Sequence, residues 1–464
     1  MSSPIQFPGE DRSNAARLII GTREPVALRT FTPTQAVLAR SAGVFHWTPE
    51  GRRLYDYSSG VLVANLGHNP RAWLARLTEL LGWNTETLSG GPGYAEALAL
   101  TAYNAVTEIE ATAVERLLEN LAASPGGDRL DSVCWAASGS EAIQKALWAC
   151  LHLRPDRDTI LATRYGFHGK KGLAGAVTGC ETDHDRDARV RFISFPMSDW
   201  DDVDRYSEVL DLATYREELE QAWDELGETI GTLITEPYLG GGGSYHPPPA
   251  YLQLLESFCR EHDILFILDE VQSNFGRTGR MYAFEKYGIS PDLVALGKGL
   301  GNGIPVSAVV GRSDVLGSLE YGEASDTWSA NPIGCAAVIA TLEAFDQSDV
   351  LENTRLLEPL FLEQLARLKQ TGVIAKVRGE GMVYGIECAD VGSTAAADVA
   401  NAIVEACYLG EHDEGGGDGI HLLGPLADTV LRISPPMTIT PEEASESLEL
   451  LYRIVDRVGR SLGG

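Results

Sequence analysis

Two stretches of the chain decide the fold, Ile264-Leu-Phe-Ile-Leu-Asp-Glu-Val-Gln272 and Leu293-Val-Ala-Leu-Gly-Lys-Gly-Leu300. Each begins with a short apolar run, and the runs end at or just before a charged residue, Asp269 in the first and Lys298 in the second. Short apolar runs of this kind predict buried strands. Because buried parallel strands deliver functional side chains at their carboxyl ends, both charged groups are predicted to face one crevice.

Further apolar runs extend this pattern on both sides and predict an α/β fold. Helix-like stretches at 141–152, 215–226 and 249–262 separate several of the runs. Such alternation is typical of a mostly parallel sheet covered by helices. The predicted strands span residues 132–137, 159–162, 190–195, 232–235, 264–268, 293–296 and 306–310.

The two ends of the chain have a different pattern. Residues 40–65 have the pattern of short strands around turns, and helices dominate from about residue 335. A chain of 464 residues is long enough for two domains. We therefore predict a large domain over residues 71–333 and a smaller α+β domain built from residues 1–70 and 334–464.

Composition excludes several functions. The formal net charge is −29, so nucleic acid is not an expected partner, since binding to a phosphate backbone requires basic surface. No apolar run approaches the ~20 residues that span a membrane, and no basic-then-apolar segment opens the chain. The seven cysteines are scattered, which predicts a reduced, cytoplasmic protein with neither a disulfide framework nor a metal site.

A candidate phosphate site follows the first predicted strand, at Ala137-Ser-Gly-Ser-Glu-Ala142. Ser138 and Glu141 have the spacing of a capping box, and taken alone the segment is a well-capped helix. A helix N-terminus also binds phosphate, with Gly139 permitting close approach of the backbone and Ser140 supplying a hydroxyl and an amide. In company with a lysine and an aspartate at strand ends, we favour the phosphate-binding interpretation.

These three features together indicate a particular cofactor chemistry. A lysine such as Lys298 can form a Schiff base with an aldehyde cofactor. An aspartate such as Asp269 can keep the pyridine nitrogen of that cofactor protonated. They are the protein groups that a pyridoxal phosphate enzyme most needs.

The chain resembles the class III (ω-amino-acid type) aminotransferases of the fold-type I pyridoxal phosphate family. The resemblance rests on the motifs FHWTPEGRRLYDYSSGVLVANLGHNP (45–70), ITEP, FILDEVQSNFGRTGRM, PDLVALGKGLGNGIP, VVGR, DTWSANP (326–332) and LRISPP (431–436). A single motif would be weak evidence, but so many in the same order make chance agreement very unusual.

This resemblance implies a pyridoxal 5′-phosphate cofactor and roles for the matching residues. Lys298 would carry the cofactor and then move a proton, and Asp269 would pair with the ring nitrogen. The remaining implied contacts, each of which is by itself an ordinary core, cap or loop residue, are Ser138, Gly139, Ser140, Phe167, His168, Glu236, Val271, Gln272 and Thr327.

The same resemblance implies partners and substrate contacts. Thr327 matches a threonine that reaches the phosphate of a partner's cofactor, which implies a homodimer with shared active sites and leaves a tetramer open. Arg432 matches an arginine that clamps a substrate carboxylate, and Lys170 is a candidate for an anionic group. Gly241 stands where 4-aminobutyrate and ornithine enzymes carry an acid, which weakens the case for those donors.

The predicted reaction is the ping-pong transfer of an amino group from an amino acid or amine donor to a keto-acid acceptor. The alternative is another reaction on the same cofactor, namely that of a lyase, decarboxylase or aminomutase, since those enzymes share the lysine and the aspartate. A catalytically silent binding protein and a lysine-only aldolase rank lower, because neither needs the full set of groups.

Overall fold

The computed structural model describes residues 5–84, 89–90, 93–184, 186–198, 200–411 and 417–463. The described helices are α1 (Asp11–Arg23), α2 (Ser59–Leu62), α3 (Arg71–Leu80), α4 (Glu108–Ala123), α5 (Gly139–Leu153), α6 (Gly172–Ala176), α7 (Ala213–Leu226), α8 (Pro249–Glu261), α9 (Ala283–Tyr287), α10 (Ser313–Leu316), α11 (Pro332–Asp346), α12 (Val350–Arg367), α13 (Ala396–Leu409) and α14 (Pro441–Leu462). The described strands are β1 (Arg40–Ala42), β2 (Phe45–Trp47), β3 (Arg53–Asp56), β4 (Ser132–Ala136), β5 (Thr159–Thr163), β6 (Val190–Ile193), β7 (Ile230–Thr235), β8 (Leu265–Asp269), β9 (Leu293–Leu296), β10 (Ser307–Gly311), β11 (Ile374–Glu380), β12 (Val383–Cys388), β13 (Gly419–His421) and β14 (Val430–Ile433).

The chain divides into two compact units. The first comprises residues 1–70, 201–204 and 352–464, and the second comprises residues 71–200 and 205–351. The boundary predicted at residue 333 falls inside α11, which is apolar on nearly every side and packs against α3 and α4. Because a helix of that kind must be buried, it belongs with the core of the second unit.

Seven described strands of the second unit form one sheet in the order β4-β10-β9-β8-β7-β5-β6. Strand β10 runs antiparallel to both of its neighbours, and the pairs from β9 to β6 are parallel. Every residue of β7, β8, β9 and β10 is buried. A strand covered on both faces has to be apolar throughout, which accounts for the continuous apolar runs in the sequence. The predicted α/β fold with a mostly parallel sheet is confirmed.

The direction of these strands positions the site. Since β5, β7, β8 and β9 are parallel, their carboxyl ends lie along one edge of the sheet. The segments at and after those ends carry Phe167, Glu236, Asp269 and Lys298. Residues distant in sequence are thereby gathered at one edge.

The first unit is the smaller α+β domain. Strands β1, β2, β3 and β13 form a four-stranded sheet in that order, and β11, β12 and β14 form a three-stranded antiparallel sheet. Helix α14 begins with a capping box between Thr440 and Glu443 and buries one face. No helix among the described residues has both the length and the apolar composition needed to cross a membrane. All seven cysteines carry free thiols.

Candidate active site

The site is built around Asp269, the last residue of β8. The Asp269 side chain is only 5% exposed. Its Oδ1 accepts a hydrogen bond from Val271 N at 3.0 Å, and its Oδ2 lies 2.7 Å from His168 Nδ1. Because a buried charge without partners is costly, these contacts matter for the carboxylate. They hold it in one orientation at the carboxyl end of the strand.

A second acid, Glu236, follows β7 immediately and interacts electrostatically with His168 and Asp269. Its carboxyl oxygens accept hydrogen bonds from Phe167 N at 2.9 Å and from Gly240 N at 3.3 Å. Burial raises the pKa of Glu236 to about 7, with His168 opposing the shift and Asp269 adding to it. The Glu236 side chain therefore ties two loops together at the sheet edge.

Lys298 follows β9, which pairs in parallel with β8. Its φ of 47° lies in the left-handed region that residues other than glycine seldom adopt. At the preceding Gly297, a Cβ atom would come within 2.7 Å of Ser307 Oγ, so no larger residue fits there unless Ser307 moves. Strained backbone of this kind is found at functional sites, where the surrounding packing maintains it. The turn fixes the lysine backbone at the same sheet edge as Asp269.

The N-terminus of α5 meets the end of β8. Ser138 is the N-cap residue, and its side chain accepts a hydrogen bond from Glu141 N at 3.3 Å, while Glu141 Oε2 accepts one from Ala137 N at 2.8 Å. A Cβ atom at Gly139 would lie 2.8 Å from Val271 Cγ1. The glycine thus allows the first turn of α5 to pack directly against the residue two positions after Asp269.

The loop after β5 completes this cluster of groups. A Cβ atom at Gly169 would fall 2.1 Å from Ser140 Oγ, so this loop touches the first turn of α5. Phe167, in the same loop, is half exposed at 46%. A Cβ atom at Gly241 would come within 3.1 Å of Phe167 Cβ, which leaves little room beside the ring for a larger side chain.

Gln272 lies against the glycine-rich segment after Glu236. A Cβ atom at Gly240 would meet Gln272 Oε1 at 1.9 Å. That Oε1 atom is buried and forms no hydrogen bond with the part of the chain that the structure describes. Since buried polar atoms are normally paired, an oxygen without a partner is unusual in the interior of a protein, and the predicted contact of Gln272 with a cofactor stays a prediction.

Thr327 lies on an exposed loop whose position is set by a buried lysine. Lys145 Nζ donates to Asp326 Oδ2 at 2.7 Å, to Trp135 O at 2.7 Å and to Ser329 Oγ at 3.2 Å, and its side chain is 3% exposed. Sequence reasoning missed Lys145. The only signal is a lysine within the first two turns of a helix whose other inward positions are apolar.

Two residues outside the predicted set, Thr178 and Glu270, also support the site. Thr178 Oγ1 accepts a hydrogen bond from His168 N at 2.8 Å and lies 2.9 Å from Gly169 O, so it braces the loop after β5. Glu270, next to Asp269 in sequence, accepts from the first amides of α9, Ala283 N and Phe284 N, both at 2.7 Å. These contacts give Glu270 a structural role at the start of α9.

The predicted substrate residues lie in different parts of the chain. Lys170 is exposed in the loop after β5. Arg432 is buried in β14 of the first unit, where it is paired in register with Gly385 of β12. The residues brought together at the sheet edge are therefore those predicted to bind the cofactor, while the two substrate residues stay predictions.

The chain is similar to known proteins over most of its length. The family model for class-III aminotransferases matches residues 27–455. The acetylornithine aminotransferase of Agrobacterium fabrum is 30% identical to the chain over 429 residues, which cover 90% of this chain and 93% of the relative. The ornithine aminotransferase of Staphylococcus carnosus is 28% identical over 444 residues, covering 94% of this chain and 98% of the relative.

A solved structure shows the same fold. The (S)-enantioselective ω-transaminase of Thermomicrobium roseum aligns with a TM-score of 0.79 at 24% identity, over 96% of this chain and 99% of that chain. With a family match over most of its length and a relative at 30% identity, the chain belongs to the class-III aminotransferases, enzymes that transfer amino groups with pyridoxal 5′-phosphate.

Proposed function

We propose that Asp269, Lys298 and the N-terminus of α5 form the active site of this aminotransferase. The observation that carries the proposal is the carboxylate of Asp269, which is buried at a strand end, held by His168 and placed one strand away from the turn that presents Lys298. The reaction is the ping-pong transfer of an amino group from an amino acid or amine donor to a keto acid.

The residues at the sheet edge fit pyridoxal 5′-phosphate. The N-terminus of α5 offers backbone amides to a phosphate, with Ser138 and Ser140 beside them, and a helix N-terminus favours negative charge. The Val271 side chain, packed on Gly139, supplies an apolar surface for one face of the ring. The Gln272 Oε1 atom, which has no hydrogen-bond partner among the described residues, supports a polar contact with the cofactor. Each part of the cofactor thus has a matching group.

The chain's own residues divide the work of catalysis. When bound, the cofactor supplies an electron-accepting ring that stabilises negative charge on the substrate carbon. Asp269 would accept a hydrogen bond from the ring nitrogen and keep the proton on it, while His168 orients that carboxylate. Lys298 Nζ would hold the cofactor and, once the amine of the donor has replaced it, would serve as the base that takes and returns the proton of the substrate carbon. Orientation and electrostatics are therefore the protein's contribution.

Two further predicted contacts surround the ring. Phe167 would pack against the ring face opposite Val271, and Glu236 holds the Phe167 backbone through its hydrogen bond to Phe167 N. Arg432 stays the predicted clamp for a substrate carboxylate, with Lys170 as a point charge for an anionic group. An Arg432→Lys variant should raise KM for a dicarboxylic keto acid more than it lowers kcat, because a lysine cannot form the two parallel hydrogen bonds.

Absorption spectroscopy of the cofactor-loaded enzyme tests the function. Donors are added without a keto acid, and the panel includes acetylornithine and ornithine, the substrates in the relatives' names. A donor that converts the lysine-bound cofactor to its amine form, with 2-oxoglutarate or pyruvate reversing the change, identifies a transaminase and its donor. Consumption of a substrate while the lysine-bound band persists would instead identify a lyase, decarboxylase or aminomutase.

The enzyme functions as a homodimer in which Thr327 completes the partner's phosphate site. Its exposure and the anchoring of its loop by Lys145 support this role. Co-expression of Thr327→Ala and Lys298→Ala chains with different tags tests it. A mixed dimer contains one site with both residues intact, so activity should recover to about a quarter of the wild-type value when half of the dimers are mixed. No recovery in purified mixed dimers would place Thr327 in its own subunit's site.

The enzyme's location is the cytoplasm, and the free state of all seven thiols supports this. Thiol titration of protein from a native extract under non-reducing conditions tests this proposal. We expect seven reactive groups after unfolding. A disulfide in that material would contradict the proposed compartment.

A further inference from the structure

Two histidines and an aspartate form a cluster in the first unit. His46 is the middle residue of β2, Asp56 ends β3, and His68 follows α2. The backbone of His68 pairs with Gly43 through two hydrogen bonds of 2.9 Å, which places it beside the turn between β1 and β2. One ligand-type atom from each of the three side chains lies within 4.8 Å of the other two. Strand pairing thus gathers three metal-ligating groups that are distant in sequence.

Asp56 is the central group of this cluster and is 1% exposed. Its Oδ1 accepts hydrogen bonds from Ser58 N at 2.7 Å and Ser58 Oγ at 2.6 Å. Its Oδ2 lies 2.6 Å from His68 Nε2 and 3.4 Å from His46 Nε2. Both carboxylate oxygens thus have close polar neighbours, with Ser58 on one side and His68 on the other.

His46 is the member of the cluster that lacks a partner for one nitrogen. Its side chain is 3% exposed, and Nδ1 lies 2.6 Å from Ser41 Oγ. Its Nε2 is buried and makes no hydrogen bond to the residues that the structure describes. The 3.4 Å between this Nε2 and Asp56 Oδ2 is long for a hydrogen bond. It is close to the ~3.3 Å that separates two ligand atoms of one tetrahedral zinc ion.

We propose that His46, Asp56 and His68 bind a divalent transition-metal ion, with Zn²⁺ as the preferred ion. Two imidazole nitrogens and one carboxylate oxygen form a ligand set of zinc sites, and water takes the fourth position. The hydrogen bonds from Ser41 and Ser58 are the kind of outer contacts that orient metal ligands. Binding displaces the proton shared by His68 and Asp56 and lengthens that contact toward ~3.3 Å.

A hydrogen-bonded network without metal is the competing explanation. It satisfies His68, whose Nε2 reaches Asp56 Oδ2, but it leaves His46 Nε2 facing a carboxylate without a good hydrogen bond. A cation between the three atoms satisfies all of them. A further imidazole, that of His421, lies with its ring centre 5.4 Å from that of His46.

The ion has a structural role, since it joins β2, β3 and the segment after α2. The metal content of the tag-free holoenzyme tests the site. The protein is incubated with Zn²⁺ and dialysed, and its metals are then measured by mass spectrometry. We expect about one Zn²⁺ per chain for the wild type, and less than about a tenth of that for His46→Gln and Asp56→Asn. The matched control is His152→Ala, which removes an exposed histidine and should retain the ion.

Thermal unfolding and cobalt substitution complete the experiment. Zn²⁺ should raise the Tm of the wild type and of His152→Ala but not of His46→Gln, and circular dichroism should show that all three are folded. Co²⁺ in the site should give ligand-field bands without thiolate charge transfer, which separates it from binding at the free cysteines. Wild-type protein that retains no Zn²⁺ above the dialysate, or a His46→Gln variant that retains as much, would overturn the proposal. None of these readouts depends on aminotransferase activity.

Discussion

Asp269 in the large unit and Asp56 in the small unit share the same inner arrangement. Each is buried at the end of a strand. Each accepts a hydrogen bond on Oδ1 from the backbone amide two residues later, and each places Oδ2 within 2.7 Å of a histidine nitrogen, on His168 or His68. The local turn is one that aspartate forms readily.

Their outer surroundings have opposite character. Beside Asp269 lies a second acid, Glu236, whose pKa is raised. Beside Asp56 lies a second imidazole, that of His46. The first site therefore gains from a cationic N–H donor brought by a ligand, such as a protonated pyridine. The second presents two imidazole nitrogens with the carboxylate, a set of groups that suits a metal ion. The residue beside an aspartate–histidine pair, Glu236 in one case and His46 in the other, therefore decides which kind of group the pair suits.

The largest expected effect comes from breaking the first pair. Asp269→Asn should lower kcat/KM by about 10³-fold, equivalent to about 4 kcal/mol, because a neutral amide does not hold the proton on the ring nitrogen. Steady-state kinetics of the cofactor-saturated variant measure this, with far-UV circular dichroism as the folding control. Asp269→Glu, which keeps the charge, should recover part of the rate. A loss below tenfold in Asp269→Asn would show that the carboxylate is not the ring partner.

The next effect tests the second acid. The pKa of Glu236 is about 7 in the folded chain against an ordinary 4.5. At pH values between these two, Glu236 is ionised in the unfolded chain and protonated in the folded chain. The free energy of unfolding therefore falls as pH rises, by up to about 3 kcal/mol. In the cofactor-free protein, Glu236→Gln should remove that loss, as measured by urea unfolding at about pH 5 and about pH 8. The exposed Glu217→Gln should leave the pH dependence unchanged, and parallel curves for all three proteins would contradict a raised pKa.

A smaller effect is expected from the second aspartate. Asp56→Asn should cost about 2 kcal/mol of folding stability at neutral pH in the presence of EDTA, because it weakens a charge-assisted contact with His68. Since the pKa of Asp56 is depressed, its contribution is present above its ordinary pKa and is lost as pH falls through the folded value. The difference between variant and wild type should therefore shrink in acid. A cost that is constant with pH would indicate a packing defect.

The smallest effect separates a helix cap from a phosphate site. Ser138 caps α5 and Thr107 caps α4, each by accepting a hydrogen bond from the amide three residues on. Replacing either with alanine should cost about 1 kcal/mol of stability. Only Ser138→Ala should also weaken binding of pyridoxal 5′-phosphate, by several-fold, in equilibrium titration. Equal affinities in the two variants would reduce Ser138 to a cap.

The sequence predicts those features of the fold and site that depend on a single strand or a single helical turn. Strands β8 and β9 are buried on both faces, so they appear as unbroken apolar runs ending at Asp269 and before Lys298. The cap at Ser138 is likewise local, because it needs a residue only three positions away. Helices were predicted only from about residue 335, although Asn331, which caps α11, and Pro332 at its first position are a standard helix start.

Contacts between distant segments could not be predicted. The packing of Val271 on Gly139 depends on how α5 crosses the sheet, and nothing in either motif specifies it. Lys145 would ordinarily be assigned to a solvated helix face, since a buried lysine needs partners that only the fold supplies. The cluster of His46 with Asp56 has no signature in the sequence, because strand pairing and not close spacing along the chain brings these residues together.

Helix α5 has a consequence for how two subunits fill with cofactor. In the proposed dimer, its first turn would hold the phosphate of its own site, while Lys145, two turns along, anchors the loop that would offer Thr327 to the neighbour. Loading one site would then order the helix and, through the lysine, the loop serving the other site. The entropic cost of ordering the surroundings is then smaller for the second cofactor. Saturation with pyridoxal 5′-phosphate should therefore be sigmoidal, and Lys145→Met should make it hyperbolic.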